Sequence, residues 1–124
     1  MSDMKKLVVA LSLFAFCGTL ATVVLAADEA KPKHTIKQVM KVAMKDGLCK
    51  KVAGGKASQD EKHKLLDAFV SLLENKPKKG DAASWNAKAG ALVIAAAKVA
   101  TGRKGAEADL KKAANCGACH KAHK

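Results

Sequence analysis

The pattern of apolar and polar residues predicts helices in four stretches of the chain after residue 35. In the first stretch, apolar residues recur at intervals of three and four, which is the period of an amphipathic helix. They are Ile36, Met40, Ala43, Met44, Leu48 and Val52. We predict a first helix that begins after His34 or Thr35, either of which can cap it, and ends at Gly54-Gly55, because glycine disfavours a helix.

A second helix is predicted to begin at a capping box. Ser58 and Glu61 have the spacing at which a serine hydroxyl and a glutamate carboxylate each accept a free backbone N–H at the start of a helix. The helix is expected to end before Pro77, which cannot continue it. Its inward-facing residues are predicted to be Leu65, Leu66, Phe69, Leu72 and Leu73.

Two further helices are predicted in the rest of the chain. The third begins at Asp81 or Ser84, both of which can cap a helix. Its apolar residues are Trp85, Ala89, Leu92, Val93, Ala96 and Val99. The fourth begins at Ala106, carries Leu110, Ala113 and Ala114 inward, and runs towards the C-terminus. Since no stretch has the period of a strand, we predict an all-α chain folded as an antiparallel four-helix bundle, an architecture that can hold a cofactor between its helices.

Residues 1–26 have the composition of a secretory signal peptide. Two lysines precede an apolar run at 7–26, and small residues at 24–26 suit a cleavage site. An uncleaved anchor is the alternative, because a run of about 20 apolar residues can span a bilayer. We predict cleavage before Ala27, which would leave residues 27–124 as a single domain with no membrane span, in the periplasm or otherwise exported.

The most specific motif lies at the C-terminus. Cys116 and Cys119 are followed directly by His120, which is the C-x-x-C-H pattern of covalent haem attachment. Residues three apart share a face of a helix, so the two thiols can add to the two vinyl groups of one haem edge. His120 then offers a neutral imidazole to the iron. We predict one haem c held by Cys116 and Cys119, with His120 as the proximal iron ligand.

Three other kinds of site could use the same residues. A zinc site could be built from Cys116, Cys119, His120 and His123, but structural zinc sites usually draw their ligands from two separated pairs. A thioredoxin-like pair follows a strand and opens a helix, whereas this motif is predicted to close the fourth helix. A structural disulfide would leave His120 without a role. Haem is therefore the preferred interpretation.

The chain resembles the class II c-type cytochromes, the cytochrome c′ family, in which the haem motif closes a four-helix chain. The resemblance spans residues 27–124, and its most specific parts besides the motif are residues 80–85 and 39–47. It implies one-electron transfer rather than enzymatic catalysis. In the low-spin members a methionine of helix one is the distal ligand, which by analogy implies Met44, with Met40 one turn earlier as the alternative.

The resemblance also implies a second hypothesis. Family members with an apolar residue at the distal position are five-coordinate and bind small gases such as nitric oxide. This chain departs from the common family pattern after the haem histidine, where it has His123 and Lys124 instead of an aromatic residue and an arginine. The contacts of the haem propionates are therefore expected to differ here.

The charge of the chain favours acidic partners. Its net charge is +12 at pH 7, and a positive field speeds encounter with acidic proteins. Nucleic acid is the rival partner for a lysine-rich chain, but Arg103 is the only arginine, and Phe69 and Trp85 are the only aromatic residues after residue 26. Such a chain lacks an array of groups that read or stack on bases. We predict acidic redox proteins as partners and no nucleic acid.

The remaining reactive side chains are predicted to be structural. His63, between Lys62 and Lys64, and also His123 are predicted to be surface histidines. Cys49 is predicted to be packed core, although an unpaired thiol in an oxidising compartment could link two copies into a homodimer. The core is short of large side chains, so a buried haem would complete it.

Overall fold

The structure of the protein is a computed structural model that describes residues 31–124. Over this range the chain is helical and has no β-strand, which confirms the all-α fold class. The predicted signal peptide, residues 1–26, lies outside the described residues. Among the helices of the described range, none has the length and apolar character needed to cross a bilayer.

The first predicted helix is divided into three segments. Helix α1 (Ile36–Val39) begins with a capping box built on Thr35. The chain continues as a π-helical segment, Met40–Lys45, and then forms α2 (Leu48–Ala53). Gly47 separates the last two with a φ of 80°, a left-handed conformation that glycine adopts without steric cost. The prediction of one continuous helix was therefore wrong at this glycine.

Helices α3 (Gln59–Glu74) and α4 (Ala82–Ala100) form the most extensive helix pair. Helix α3 begins at the predicted capping box of Ser58, and α4 begins at Asp81, whose carboxylate accepts from two backbone N–H groups. The short connection at 75–81 lets the two helices pack side by side in opposite directions. Their buried residues include Leu65, Ala68, Phe69 and Leu72 in α3, and Trp85, Ala89, Leu92, Ala95, Ala96 and Val99 in α4.

The core is one cluster in which alanine is the commonest residue. Phe69 is its largest fully buried side chain. The indole N–H of Trp85 donates to the backbone oxygens of Leu72 and Asn75, at 3.1 and 2.9 Å. Leu73, predicted to face inward, is 38% exposed, because the contact face of α3 is centred on Phe69 and Leu72. The expectation of a core short of large side chains is confirmed.

The fourth predicted helix is also divided. Helix α5 (Ala106–Ala113) ends at Ala114, and Asn115 adopts an extended conformation. The side chain of Asn115 then accepts from the backbone N–H of Ala118 and caps a new helix, α6 (Cys116–His123). The prediction that the C-x-x-C-H motif closes a continuous helix was therefore wrong, since the motif opens its own helix. Asparagine is among the best N-cap residues, so the sequence did contain a signal for this break.

Helix α6 docks against the start of α4. Helix α5 packs along α4, and α6 also contacts α4. Gly80, directly before the N-cap of α4, has a φ of 91°, and a Cβ at this position would collide with the backbone oxygen of Ala122 and the ring of His123. The close approach of the C-terminal helix therefore requires glycine at residue 80.

Replacing Gly80 with alanine should loosen this docking, because the new methyl group must find room against Ala122 and His123. Gly55→Ala is the matched control, since Gly55 also has a positive φ, 73°, but has nothing near the position of the added Cβ. We expect Gly55→Ala to lower the free energy of unfolding by about 1–2 kcal/mol. Gly80→Ala should lower the free energy of unfolding by about 1–3 kcal/mol more than Gly55→Ala does. Denaturant unfolding followed by far-ultraviolet circular dichroism measures both variants. Equal losses in the two variants would contradict the docking.

Candidate functional site

A cavity of about 910 Å³ lies between the α1 region, α4 and the C-terminal segment. Its volume is near the upper end of the range for small-molecule sites, about 300–1,000 Å³. Apolar side chains from each of these regions line it, among them Ile36, Met44, Trp85, Leu92 and Ala113. A cavity with this volume and lining suits a large apolar group.

The predicted haem-attachment residues meet at this cavity, because Cys116, Cys119 and His120 all line it. Cys116 and His120 are exposed, and Cys119 is half-buried. The three residues lie on α6, so the expected helical spacing of the two thiols is realised. The described cysteines are all free thiols, so both thiols of the motif are available for a covalent bond.

The environment of Cys119 keeps its thiol protonated. Burial raises the pKa of Cys119, the ammonium group of Lys88 opposes this shift, and Cys116 adds to it.

The motif opens a helix, as the cysteine pair of a thioredoxin-like site does. This position differs from the helix-closing position that we predict from the sequence. The strand that precedes the motif in such sites is absent from residues 31–124, which are helices and turns. The thioredoxin-like alternative therefore lacks its structural context.

Met40 and Met44, the predicted distal ligands, both line the same cavity and are half-buried. They occupy the first and fifth positions of the π-helical segment, and Ala43 between them is fully buried. Segments with π-helical hydrogen bonding are rare and frequently occur at functional sites. The fold thus brings two thioether sulfurs to the cavity that the haem motif lines.

The polar part of the cavity lining is cationic. Among the described residues that line it there is no aspartate or glutamate. Its lysines are Lys37, Lys45, Lys78, Lys88, Lys112 and Lys124. An apolar cavity with ammonium groups at its border favours a ligand that has an apolar body and anionic groups. Sequence reasoning missed these lysines as a group, although Lys88 follows Trp85 by three residues and so shares its helix face.

His123 was predicted to be a surface histidine, and this prediction was wrong. The residue is 8% exposed, and its ring packs edge-on against Trp85 with the ring centroids 5.4 Å apart. Its Nδ1 lies 3.0 Å from the backbone oxygen of Lys79, and its Nε2 lies 3.2 Å from Oγ of Ser84. Because a carbonyl oxygen can only accept, Nδ1 carries a proton, and in the neutral ring Nε2 then accepts from the serine hydroxyl.

The contacts of His123 argue against a zinc site. Both ring nitrogens of His123 are engaged by other groups of the protein, so this histidine does not face the cysteines as a ligand. Within residues 31–124, no group of three or more His, Cys, Asp or Glu side chains is arranged to hold a metal ion. The arrangement needed for a four-ligand zinc site is therefore missing from the described part of the chain.

The predictions for His63 and Cys49 are confirmed, and His34 lies away from the cavity. His63 is exposed, and its Nε2 lies 2.9 Å from Nε2 of Gln59. His34 contacts Asp67 at 3.2 Å and does not line the cavity. Cys49 is 5% exposed and belongs to the core, which confirms its prediction as packed core. Its burial makes Cys49 poorly suited to link two copies of the chain.

No match was found when the chain was compared with known protein families, with curated proteins and with solved structures. The interpretation of the site therefore depends on the haem motif, on the geometry around it and on the resemblance to the class II cytochromes. The structure adds to the motif a shared cavity, two methionine side chains and a border of lysines.

His123→Phe should keep the edge contact with Trp85 but remove both hydrogen bonds of the imidazole. Since each such bond contributes about 1 kcal/mol, we expect the free energy of unfolding to fall by about 1–2 kcal/mol. His63→Phe is the matched control at an exposed site, where a change within about 0.5 kcal/mol is expected. Denaturant unfolding of the purified protein measures both. A loss in His63→Phe as large as that in His123→Phe would contradict the anchoring role of His123.

Proposed function

We propose that the chain is an exported c-type cytochrome, in which a four-helix bundle holds one covalently attached haem and transfers single electrons between partner proteins. The observation that carries this proposal is that Cys116, Cys119 and His120 border an apolar cavity of about 910 Å³. A C-x-x-C-H sequence that arose by chance is not expected to border such a cavity. The resemblance to the class II cytochromes supports the same function.

The residues around the cavity match the chemistry of a haem. Cys116 and Cys119 would hold it through thioethers, and the imidazole of His120 would provide a nitrogen ligand to the iron. Trp85, Leu92 and other apolar side chains line the cavity and would exclude water from a bound haem. A bound haem supplies the one-electron iron couple, and the protein sets its ligands and surroundings.

The lysines around the cavity have two roles in this proposal. Their ammonium groups would pair with the haem propionates, in place of the arginine that is common in the resembling family. They also surround a haem that would lie near the surface, since Cys116 and His120 are exposed. A positive field at that edge attracts acidic redox proteins and is screened over about 8 Å at physiological ionic strength. Nucleic acid is not proposed as a partner.

Met44 is the proposed distal ligand. The resemblance favours Met44 over Met40, and the half-buried position of Met44 on the cavity agrees with that role. A thioether ligand would raise the reduction potential of a bound haem, which suits an electron carrier. If neither methionine binds the iron, the site is five-coordinate and the gas-binding hypothesis replaces electron transfer.

The test of haem attachment is whether the cofactor survives unfolding of the chain. Thioethers resist acid and denaturant, so we expect haem to stay with the wild-type polypeptide on a denaturing gel. Cys116→Ala/Cys119→Ala should lose all of it. Cys49→Ala is the control, because this third thiol is not assigned to the haem. Free extraction of haem from the wild-type protein into acidified organic solvent would overturn the proposal.

The ligand assignment predicts different spectra for two methionine variants. Met44→Ala should convert a low-spin haem to high-spin and open the iron to carbon monoxide, because the sixth ligand is removed. Met40→Ala, one turn away on the same cavity, should keep the low-spin spectrum and mainly loosen packing. Optical spectra of both reduced proteins measure this. A wild-type protein that is already high-spin would favour gas binding, and a spectral change in Met40→Ala alone would move the ligand to Met40.

A further inference from the structure

A second cavity, of about 720 Å³, lies beside the haem motif and is bordered by two cysteines. Cys49, in α2, is 5% exposed, whereas Cys116, at the start of α6, is exposed. Met44 and Ala114 border the same cavity. The third thiol of the described chain therefore shares a cavity with one of the two thiols that the proposed function assigns to haem.

The tertiary fold puts these two cysteines at one cavity. Gly47 starts α2, which puts Cys49 in the first turn of that helix. Helix α2 packs against α5, and α5 is followed at once by the break at Ala114 and Asn115 that starts α6. Burial is the main cause that raises the pKa of Cys49, and the nearby Cys116 raises it further. This electrostatic effect agrees with the position of both thiols at one cavity.

We propose that Cys49 and Cys116 form a thiol pair, which a small-molecule disulfide oxidises to an internal disulfide in the haem-free chain. The disulfide is inferred from the position of both thiols at one cavity, whereas its link to haem attachment rests on the proposed function. While the disulfide exists, Cys116 has no thiol to add to a haem vinyl group. Reduction restores that thiol, so the pair would make haem attachment dependent on the redox state of the compartment.

The oxidation takes place in two exchange steps. With oxidised glutathione as the oxidant, exposed Cys116 loses its proton and attacks one sulfur; a mixed disulfide forms, and one glutathione leaves as a thiolate that takes up a proton. Cys49 then loses its proton and attacks the sulfur of Cys116, which displaces the second glutathione. One external disulfide is thus reduced to two thiols as two cysteines are oxidised to one disulfide. Lys50, Lys56 and Lys111 border this cavity and attract the carboxylates of the oxidant.

Cys116 could also form a disulfide with Cys119, so the test uses variants in which that disulfide cannot form. Haem-free, full-length Cys119→Ser keeps Cys49 and Cys116, and its matched control Cys116→Ser keeps Cys49 and Cys119; both chains also carry Cys17→Ser, because Cys17 is the fourth cysteine of the sequence. Both chains are incubated with oxidised glutathione, in native buffer and in denaturant, and the remaining thiols are alkylated. Peptide mapping without reduction, followed by mass spectrometry, then identifies which cysteines are linked.

In native buffer, we expect the Cys49–Cys116 link in Cys119→Ser to exceed the Cys49–Cys119 link in Cys116→Ser several-fold. In denaturant, where the fold no longer selects a partner, the two yields should be similar. Similar yields in native buffer, or only mixed disulfides in Cys119→Ser, would overturn the inference.

A haem stain of denatured wild-type protein separates this inference from the proposed function. If the wild-type chain retains covalent haem but its Cys119→Ser variant forms no internal disulfide, the thiol pair is overturned and the cytochrome function is not affected. If the variant forms the internal disulfide but the wild-type chain never retains haem, the thiol pair is supported and the cytochrome function is overturned.

Discussion

The docking of α6 onto the start of α4 is the contact on which the candidate site depends. Helix α6 has 8 residues, which is too few to be stable alone in water. His123 holds its end through hydrogen bonds to Lys79 and Ser84 and through its contact with Trp85. Gly80 leaves the space for this approach. The haem motif borders the cavity because the residues that follow it are anchored in this way.

The alanine-rich core has a consequence for the cavity. Small side chains let α3 and α4 pack closely, but they do not fill the space between α1, α4 and α6. The apolar wall that remains in contact with water has a cost of about 25 cal/mol per Å². A large apolar group tied to Cys116 and Cys119 would cover that wall and stabilise the fold. The small core and the proposed covalent cofactor are thus complementary features of one chain.

Three irregular parts of the backbone lie at the two cavities. The long regular helices α3 and α4 form the scaffold, whereas the π-helical segment, the left-handed Gly47 and the break at Asn115 all lie near the two cavities. Each irregularity positions a sulfur. The π-helical segment carries Met40 and Met44, Gly47 precedes the turn with Cys49, and Asn115 caps the helix of the motif. A rigid scaffold with irregular edges is a common way to position functional side chains.

Local sequence determined the positions of most helices and the chemistry of the motif. The capping residues Ser58 and Asp81 and the apolar period depend on near neighbours in the chain, as does the spacing from Cys116 to His120, so they could be predicted. The burial of His123 and the shared cavities depend on contacts between residues far apart in sequence. No periodic pattern encodes those distances, since they arise when whole helices pack. Tertiary structure alone therefore decided that the border of lysines and the thiol of Cys49 lie beside the motif, whereas Met44 and Met40 were already implied by the resemblance.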